Sequence, residues 1–293
     1  MRRPLSHWLL LFALVAMWGS SFLMTKVAVS SLAPTHVVSG RLLVAALLLC
    51  TVVLVARRAM PCGGRIWAYF VVMAVVGNAL PFILISWGQQ RIDSGLAGIL
   101  MAVMPLTTLV LAHFFVPGEH LDRRRLAGFG LGFCGIVVLI GPQALARLGG
   151  SGEVLAAQVA VLGGAVCYAV NTIVARRRPE ADALLTAAVV LALATGLSLP
   201  LALATPLPVL AHLPLEAALA VGFLGVVCTA LATVGYFRLI ALAGPTFLSL
   251  INYLIPLWAV GLGMLFLGER PEWNALFALV MILAGIGLSQ SRR

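Results

Sequence analysis

Long apolar runs fill almost the whole chain and decide which folds are open to it. Ten runs rich in Leu, Val and Ala are separated by short connections. Each run is close to the roughly 20 helical residues that cross a hydrocarbon core of about 30 Å. Hydrophobic residues form 62% of the sequence and charged residues only 10%, whereas soluble domains carry about 25% charged residues. We therefore predict an all-α polytopic membrane protein, because a β-barrel would show short alternating segments.

The first apolar run is longer than the core of a signal peptide and has no small-residue cleavage site after it, so we predict that it is retained. The connections leave no room for a soluble catalytic or nucleotide-binding domain. The predicted transmembrane helices cover residues 8–29, 35–56, 66–88, 94–116, 125–141, 154–175, 184–204, 214–238, 243–267 and 273–290.

Basic residues are distributed unequally between the two alternating sets of loops. One set contains fourteen arginines, while the other contains three, with Lys26 and Arg41 at adjacent helix ends. The positive-inside rule then places both termini in the cytoplasm. The same bias accounts for the net charge of +10. We therefore expect membrane lipids and no nucleic acid around the protein, and a location in the cell (inner) membrane.

Several chemistries lack the residues that they need. The only lysine, Lys26, lies in FLMTKVA, which is not a phosphate-binding loop, so the chain alone is not an ATP-driven pump. The nine acidic residues fall at predicted helix ends or in loops, and the five cysteines fit no metal site or disulfide framework. We predict no enzyme activity, no catalytic residue, no metal and no cofactor.

The fourth and ninth apolar segments resemble each other. LMAVMPLTTLVLAHFFVPGEHL aligns with SLINYLIPLWAVGLGMLFLGERP, so that Pro105 corresponds to Pro256 and Glu119 to Glu269. Each half, residues 1–145 and 146–293, then holds five helices, and an odd number of crossings forces the second half to enter the membrane from the opposite side. Inverted repeats are typical of secondary transporters with a central site between the repeats.

The same residues carry a resemblance to a known family. WGSSFLMTKVAV, Pro34 and SGRLLVAALLL resemble the start of the EamA-type branch of the drug/metabolite transporter (DMT) superfamily, and LINYLIPLWAVGLGMLFLGERPEWNALFALVMILAGIGL resembles its second-half signature. The resemblance covers essentially the whole chain. It implies a ten-helix carrier that exports amino acids or other small metabolites, most similar to YddG-type exporters of aromatic amino acids. The first half reads PGEHL where the second reads LGERP, so only the Gly-Glu pair is shared.

Polar and aromatic residues share faces of the first, third, fourth, sixth, eighth and ninth predicted helices. Polar groups facing lipid are costly, so these faces are expected to point into the protein or a water-filled cavity. Packing between helices is the alternative for each single residue. Aromatic rings, methionines and amides suit an apolar or aromatic solute with a polar end. The predicted cavity residues are Trp18, Phe22, Thr25, Asn78, Phe82, Trp87, Met101, Met104, Tyr168, Asn171, Thr233, Tyr236, Asn252 and Tyr253.

Two cations and two prolines have separate predicted roles. Lys26 and Arg41 lie near the outer ends of their helices, where they either snorkel to the interface or line the outer mouth, attracting a solute carboxylate and binding helix-end carbonyls. Pro105 and Pro256 each remove a backbone donor, which predicts a bend that flexes during transport or a static kink.

The absence of an intramembrane carboxylate favours facilitated transport over proton coupling. An alternating-access carrier is the leading prediction. A channel-like pore, a proton-coupled drug/metabolite antiporter and a non-transporting interaction subunit are the alternatives. Gly128 and Gly132 form a GxxxG pair in the fifth helix, Gly285 and Gly287 lie in the tenth, and these glycines predict close helix packing. We expect a monomer, with a dimer through helices 5 and 10 as the alternative.

Overall fold

A helix lies at each of the ten predicted positions in the part of the chain that the structure describes. In this computed structural model that part comprises residues 4–58, 60, 63–117, 122–146, 152–175, 182–206, 213–243, 245–248 and 250–290. The helices are α1 (Leu5–Val29), α2 (Pro34–Val55), α3 (Gly64–Gly88), α4 (Ser94–Phe115), α5 (Arg123–Ala146), α6 (Glu153–Ala175), α7 (Ala183–Ala204), α8 (Leu215–Ala243), α9 in two pieces (Pro245–Leu248 and Ile251–Phe266) and α10 (Trp273–Gln290).

The prediction of an all-helical polytopic membrane protein is confirmed. Seven of the described helices, α1 to α4 and α6 to α8, are long and apolar enough to cross a membrane. The apolar parts of α9 and α10 are shorter and cover Leu254–Phe266 and Trp273–Leu288. Many large apolar side chains, such as Leu47, Val55 and Leu265, are exposed on the outside of the bundle, as expected where lipid replaces water as the solvent.

Local sequence explains several helix ends. Pro34 occupies the first turn of α2, where a missing N–H costs nothing. Asp182 caps α7 by accepting a hydrogen bond from the Leu185 amide at 2.9 Å. Arg238 is one of the fourteen arginines assigned to the first set of loops. In the structure it lies inside α8, because that helix continues to Ala243. A long arginine side chain reaches water from the last turns of a helix, so its charge does not mark the helix end.

Helices α3 and α8 each contain a π turn that the sequence did not predict. The turns cover Val75–Ala79 in α3 and Val226–Leu231 in α8. In each, a polar side chain bonds the carbonyl five residues earlier: the Asn78 amide donates to Met73 at 3.3 Å, and the Thr229 hydroxyl to Leu224 at 2.8 Å. Asn78 and Thr229 are 151 positions apart, like Pro105 and Pro256. The π turns are therefore repeated features, of a kind frequent at functional sites.

The two predicted proline bends differ from each other. Helix α4 is broken at Ala102–Val103, where the Ala102 and Val103 amides bond carbonyls three residues back, and Pro105 lies in the first turn of the second piece, Met104–Phe115. Pro256 instead lies inside the continuous piece Ile251–Phe266. Pro105 therefore lacks its backbone N–H at a helix start, where amides have no partner within the helix in any case. Pro256 lacks its N–H inside a helix, where the missing donor interrupts the series of backbone hydrogen bonds.

The helices pack in a pattern that is preserved when the two halves are exchanged. Helix α1 packs on α8 and α9, and its repeat partner α6 packs on α3 and α4. Three further contacts, α2 with α7, α4 with α9, and α5 with α10, each join a helix to its own repeat partner. This contact pattern is the one expected when a pseudo-twofold axis relates the two halves. Equivalent residues of the two repeats then approach each other near that axis.

Helices α5 and α10 pack through glycines and run antiparallel. A Cβ on Gly285 would lie 2.5 Å from the Gly128 carbonyl oxygen and 2.8 Å from the Gly132 nitrogen, and one on Gly135 would lie 3.1 Å from the Ala278 oxygen. Gly128 and Gly132 of α5 thus meet Gly285 of α10, while the later Gly135 meets the earlier Ala278, so the two helices run in opposite directions. The predicted close packing is therefore made within the chain, and the alternative of a dimer through these helices stays a prediction.

We expect Gly285→Ala to destabilise the protein, because the added methyl meets backbone atoms that have no rotamer to change. Overpacking of this kind costs about 1–3 kcal/mol. The matched control is Gly287→Ala, where a Cβ has no neighbour within 4 Å. Thermal unfolding in detergent measures both variants, and equal midpoints for the two would contradict the described α5–α10 contact.

Candidate functional site

A buried arginine, Arg41, forms the centre of the candidate site. Its side chain belongs to α2 and is only 8% exposed. The guanidinium Nε donates to the Thr229 hydroxyl of α8 at 2.7 Å, and NH1 donates to the Ser21 hydroxyl of α1 at 3.1 Å. The guanidinium carbon lies 3.9 Å from the centre of the Phe82 ring of α3, a cation–π distance. Arg41 therefore joins three helices of the first half to one of the second.

Close packing of α2 against α8 brings Arg41 to this position. A Cβ on Gly225 would lie 2.6 Å from Val44 and 2.9 Å from the Arg41 carbonyl oxygen, and one on Gly40 would lie 2.8 Å from Val221. The glycines thus allow the two backbones to approach. The π turn of α8 then presents Thr229 to Arg41, since the Thr229 hydroxyl uses its proton on Leu224 and keeps lone pairs for the guanidinium.

The charge of Arg41 has no carboxylate partner among the described residues. The described acidic residues lie at helix ends or in connections: Asp93, Asp122, Glu153, Asp182, Glu216, Glu269 and Glu272. The ion pairs recorded in this part of the chain, Arg58 with Asp182 and Arg91 with Glu153, also lie at helix ends. Glu119 and Glu180 fall outside the described residues. Ser21 and Thr229 satisfy two of the five guanidinium N–H groups but supply no negative charge.

Aromatic rings extend the site from Arg41 into both halves. The Phe82 and Tyr168 ring centres are 6.4 Å apart and meet edge to face. Trp18 of α1 and Tyr236 of α8 form a second pair, with ring centres 5.7 Å apart. Phe82 is buried, whereas the other three side chains are half-buried. These rings are the part of the predicted cavity set that the structure brings into contact with one another.

The polar members of the predicted set divide into two groups. Asn78 donates to the Met73 carbonyl, and Thr233 donates to the Thr229 carbonyl at 2.6 Å, so both side chains satisfy their own helix backbones. The Asn171 amide oxygen, in contrast, is buried without a hydrogen-bond partner among the described residues, next to Gly77 of α3. A buried, unsatisfied amide is costly, so among the predicted cavity residues Asn171 has hydrogen-bonding capacity left for a ligand.

The remaining predicted cavity residues are more scattered. The Arg91 guanidinium carbon lies over the Trp87 ring, 4.9 Å from its centre. Arg91 also forms an ion pair with the exposed Glu153. Phe22 packs against the core around α4, and Thr25 is buried. Met101, Met104 and Asn252 are half-buried, with the two methionines on either side of the α4 break. The side chain of Tyr253 lies outside the described part of the structure.

Lys26 ties α1 to the end of α3. Its ammonium donates to the carbonyl oxygens of Gln89 at 2.9 Å and Ile92 at 2.8 Å, which lie just after the end of that helix. The Gln89 amide in turn donates to the Phe22 carbonyl at 2.8 Å, and Gln89 is completely buried. These contacts agree with the carbonyl binding that was predicted as part of an outer-mouth role for Lys26, and the outer-mouth role itself stays a prediction. Arg41 is buried among α1, α3 and α8, and its predicted position at the outer mouth stays a prediction.

Glu269 joins the two halves at the same end of the bundle. Its carboxylate accepts hydrogen bonds from the Ser94 amide at 2.7 Å, the Ser94 hydroxyl at 2.8 Å and the Gly95 amide at 2.9 Å. A carboxylate on the first amides of α4 satisfies orphan donors and complements the helix dipole. We call this end of the bundle, with Lys26, Gln89, Ser94 and Glu269, the Lys26 end.

Sequence reasoning did not assign the contacts of Gln89, Ser94 and Glu269. The available signal for Glu269 was the Gly-Glu pair that occurs in both halves. A carboxylate that recurs at a helix end can cap the free amides at the start of a neighbouring helix. Gln89 gave a weaker signal, as a polar residue on the Asn78–Phe82 face. Ser21 lies one helical turn from Trp18, and Thr229 one turn from Thr233, on faces that were expected to point inward; in the structure both bind the buried Arg41.

Several proteins are similar in sequence to this chain over nearly its full length. The uncharacterized inner membrane transporter YedA of Escherichia coli strain K12 is 28% identical over 94% of this chain and 90% of its own. The uncharacterized transporter YvbV of Bacillus subtilis is 25% identical over 97% and 91%, and an uncharacterized transporter of Archaeoglobus fulgidus is 24% identical over 97% of both chains.

A solved crystal structure shares the fold, with a TM-score of 0.68 and 20% identity over 98% of this chain and 97% of the other. The EamA-like transporter family matches residues 6–141 and 155–290, one unit in each half. This match and the inner membrane relatives confirm the predictions of a multi-pass protein of the cell (inner) membrane and of a protein that is not an enzyme. The chain belongs to the EamA-like transporter family, of the DMT superfamily, and is a membrane transporter built of two EamA repeats.

Proposed function

We propose that the protein is a facilitative carrier that exports amino acids, including aromatic and hydrophobic ones, by alternating access. The observation that carries this proposal is the buried Arg41, held by both halves beside aromatic rings and without a carboxylate partner in the described part of the chain. A charged side chain at this depth marks a solute pathway by default. The proposed solutes are those of the YddG-type exporters that the sequence resembles.

Three observations support two inverted five-helix repeats with ten crossings, while the proposed placement of both termini in the cytoplasm rests on the arginine-rich set of loops. The repeat partners α5 and α10 run antiparallel, as inversion requires. The π turns occur at equivalent places in α3 and α8. The contacts of α1 with α8 and α9 match those of α6 with α3 and α4. The proposed boundary between the repeats lies near residue 145, between the two units of the family match.

The chemistry around Arg41 fits an amino acid with an apolar side chain. The aromatic rings of Phe82, Tyr168, Trp18 and Tyr236 offer faces and edges to an aromatic or aliphatic group. The Asn171 amide offers a buried polar contact for the other end of the solute. A site with few polar groups among apolar walls binds small molecules and fixes their orientation.

The carrier is proposed to be closed to the outside in this conformation. With the amino terminus in the cytoplasm, the Lys26 end faces outward. There α4 and α9 pack closely, since a Cβ on Gly98 would lie 2.6 Å from that of Ala259 and one on Gly95 3.3 Å from the Val260 backbone. The contact of α9 with α4 is concentrated on the outer piece Ser94–Met101. Opening to the outside then requires the Glu269 hydrogen bonds to break.

Counterflow in proteoliposomes tests the proposed function. Vesicles loaded with unlabelled L-phenylalanine, L-leucine or L-threonine receive radiolabelled L-phenylalanine outside, with protein-free vesicles as the control. Saturable accumulation that depends on an internal apolar amino acid supports the carrier. Flux that rises linearly with concentration indicates a channel-like pore, and no flux with any solute indicates a non-transporting subunit.

Uptake is expected to be independent of the pH gradient. The described acidic residues lie at helix ends, which leaves no intramembrane carboxylate in this part of the chain to carry a proton. The measurement is initial uptake of L-phenylalanine with and without an imposed pH gradient and a protonophore. Transport that disappears with the protonophore and returns with the gradient would establish proton coupling instead.

Replacing Glu269 by Gln is expected to weaken outward closure. The variant loses the negative charge and one of the two oxygens that accept from Ser94 and Gly95, worth about 1–3 kcal/mol, or roughly ten-fold in the closed-to-open ratio. A Phe22→Cys reporter in a background without native cysteines is labelled from outside by an impermeant maleimide.

We expect several-fold faster labelling of the reporter in Glu269→Gln than in the unaltered protein. Glu272→Gln, at an exposed acid a few positions along the chain, is the matched control and should label like the unaltered protein. Equal rates in all three would mean that Glu269 does not hold the outer side closed.

The prolines are proposed as elements of the transport cycle. Pro256→Ala restores an amide inside α9 and is expected to lower flux several-fold while the thermal midpoint holds or rises, because flexibility is lost. Pro105→Ala, in the first turn of its helix piece, is expected to lower flux with a smaller effect on stability. Pro200 also lies inside a helix but is exposed, so Pro200→Ala is the control. Unchanged flux in Pro105→Ala and Pro256→Ala would exclude the hinge role.

A further inference from the structure

We infer that the Arg41 guanidinium binds the carboxylate of the transported solute, which makes a carboxylate group the main requirement for transport. This inference rests on the proposed transport function and deepens it. It also separates Arg41 from Lys26, which the sequence placed together at the outer mouth as candidate anion-binding groups.

Arg41 has hydrogen-bonding capacity that the protein does not use. A guanidinium carries five N–H groups, and the described contacts of Arg41 employ Nε and one proton of NH1. Both acceptors are neutral hydroxyls. Within the described part of the chain, the second NH1 proton and the NH2 group therefore have no acceptor, and these edges of the guanidinium fit a carboxylate in a bidentate contact.

The charge of Arg41 also lacks a carboxylate partner among the described residues. A buried charge without a partner is strongly destabilising, and guanidinium loses no proton at physiological pH. The Phe82 ring covers one face at 3.9 Å and stabilises the cation, but it adds no negative charge. A solute carboxylate would supply both the charge and the missing acceptors in a site that is otherwise apolar.

Lys26 does not share this role. Its ammonium is occupied by the Gln89 and Ile92 carbonyls in the connection that follows α3. The second half holds no counterpart of Arg41, because the equivalent stretch of α7, Val190–Ala192, is apolar. The pathway therefore has one buried fixed cation in the described part of the chain, which matches one carboxylate per transport cycle.

Ligand-induced thermal stabilisation and counterflow, applied to the same purified protein, test the inference. The probes are L-phenylalanine and 3-phenylpropionate, which carry a carboxylate, and L-phenylalaninamide and phenethylamine, which do not. Inorganic phosphate is included because a guanidinium also binds phosphate. The variants are Arg41→Gln and Arg41→Lys, with Arg238→Gln as the control that removes an exposed arginine.

In the unaltered protein, the two carboxylates are expected to bind at least ten-fold more tightly than the amide and the amine. Arg41→Gln should lose that preference, Arg41→Lys should keep part of it, and Arg238→Gln should match the unaltered protein. Should Arg41→Gln fail to fold, the comparison of acid with amide in the unaltered protein and in Arg41→Lys decides the question.

Equal binding of L-phenylalanine and its amide by the unaltered protein would overturn the inference, as would unchanged phenylalanine affinity in a folded Arg41→Gln variant. Binding of phosphate but not of either carboxylate through Arg41 would also overturn it, in favour of an inorganic anion. Absence of flux in the unaltered protein, with carboxylate binding that still depends on Arg41, would reject the transport function and retain the anion site.

Discussion

The structure is organised around one positive charge that the membrane interior cannot solvate. A charged side chain within a transmembrane segment is costly, by up to about 3 kcal/mol for an arginine at the helix centre on insertion scales, so the surrounding helices must stabilise Arg41. Arg41 achieves this with a hydroxyl from α1, a hydroxyl from α8 and the ring of Phe82. The contact of α2 with α8 through Gly40 and Gly225, and the π turn that presents Thr229, both bring acceptors to that charge.

The sequence predicted the helices well because the length of an apolar run is set by the bilayer. It did not predict the π turns, since one extra residue in a helix leaves no mark in a uniformly apolar pattern. Asn78 and Thr229, which bond the turn carbonyls, looked like other inward-facing polar residues. Pro105 looked like an interior kink, but the turn at Ala102–Val103 ends the first piece of α4 and places Pro105 at a helix start.

The candidate site was predicted in part, and the reasons differ by residue type. Helical periodicity identified Trp18, Phe82, Tyr168 and Tyr236, which contact one another across helices. Periodicity cannot distinguish a side chain that faces a cavity from one that bonds its own helix, as Asn78 and Thr233 do. The depth of Arg41 and the capping by Glu269 depend on which helices are neighbours, and that information is tertiary.

The central claim is that the Arg41 cluster is a solute site reached from either side of the membrane in turn. The Ser21 hydroxyl accepts a hydrogen bond from Arg41, so Ser21→Cys, in a background without native cysteines, reports on access to the cluster. An impermeant thiol reagent is applied to right-side-out and inside-out vesicles, with and without L-phenylalanine. The account predicts labelling from both sides and protection by phenylalanine on both. A cysteine that no reagent reaches from either side would show that the cluster is sealed packing and would contradict it.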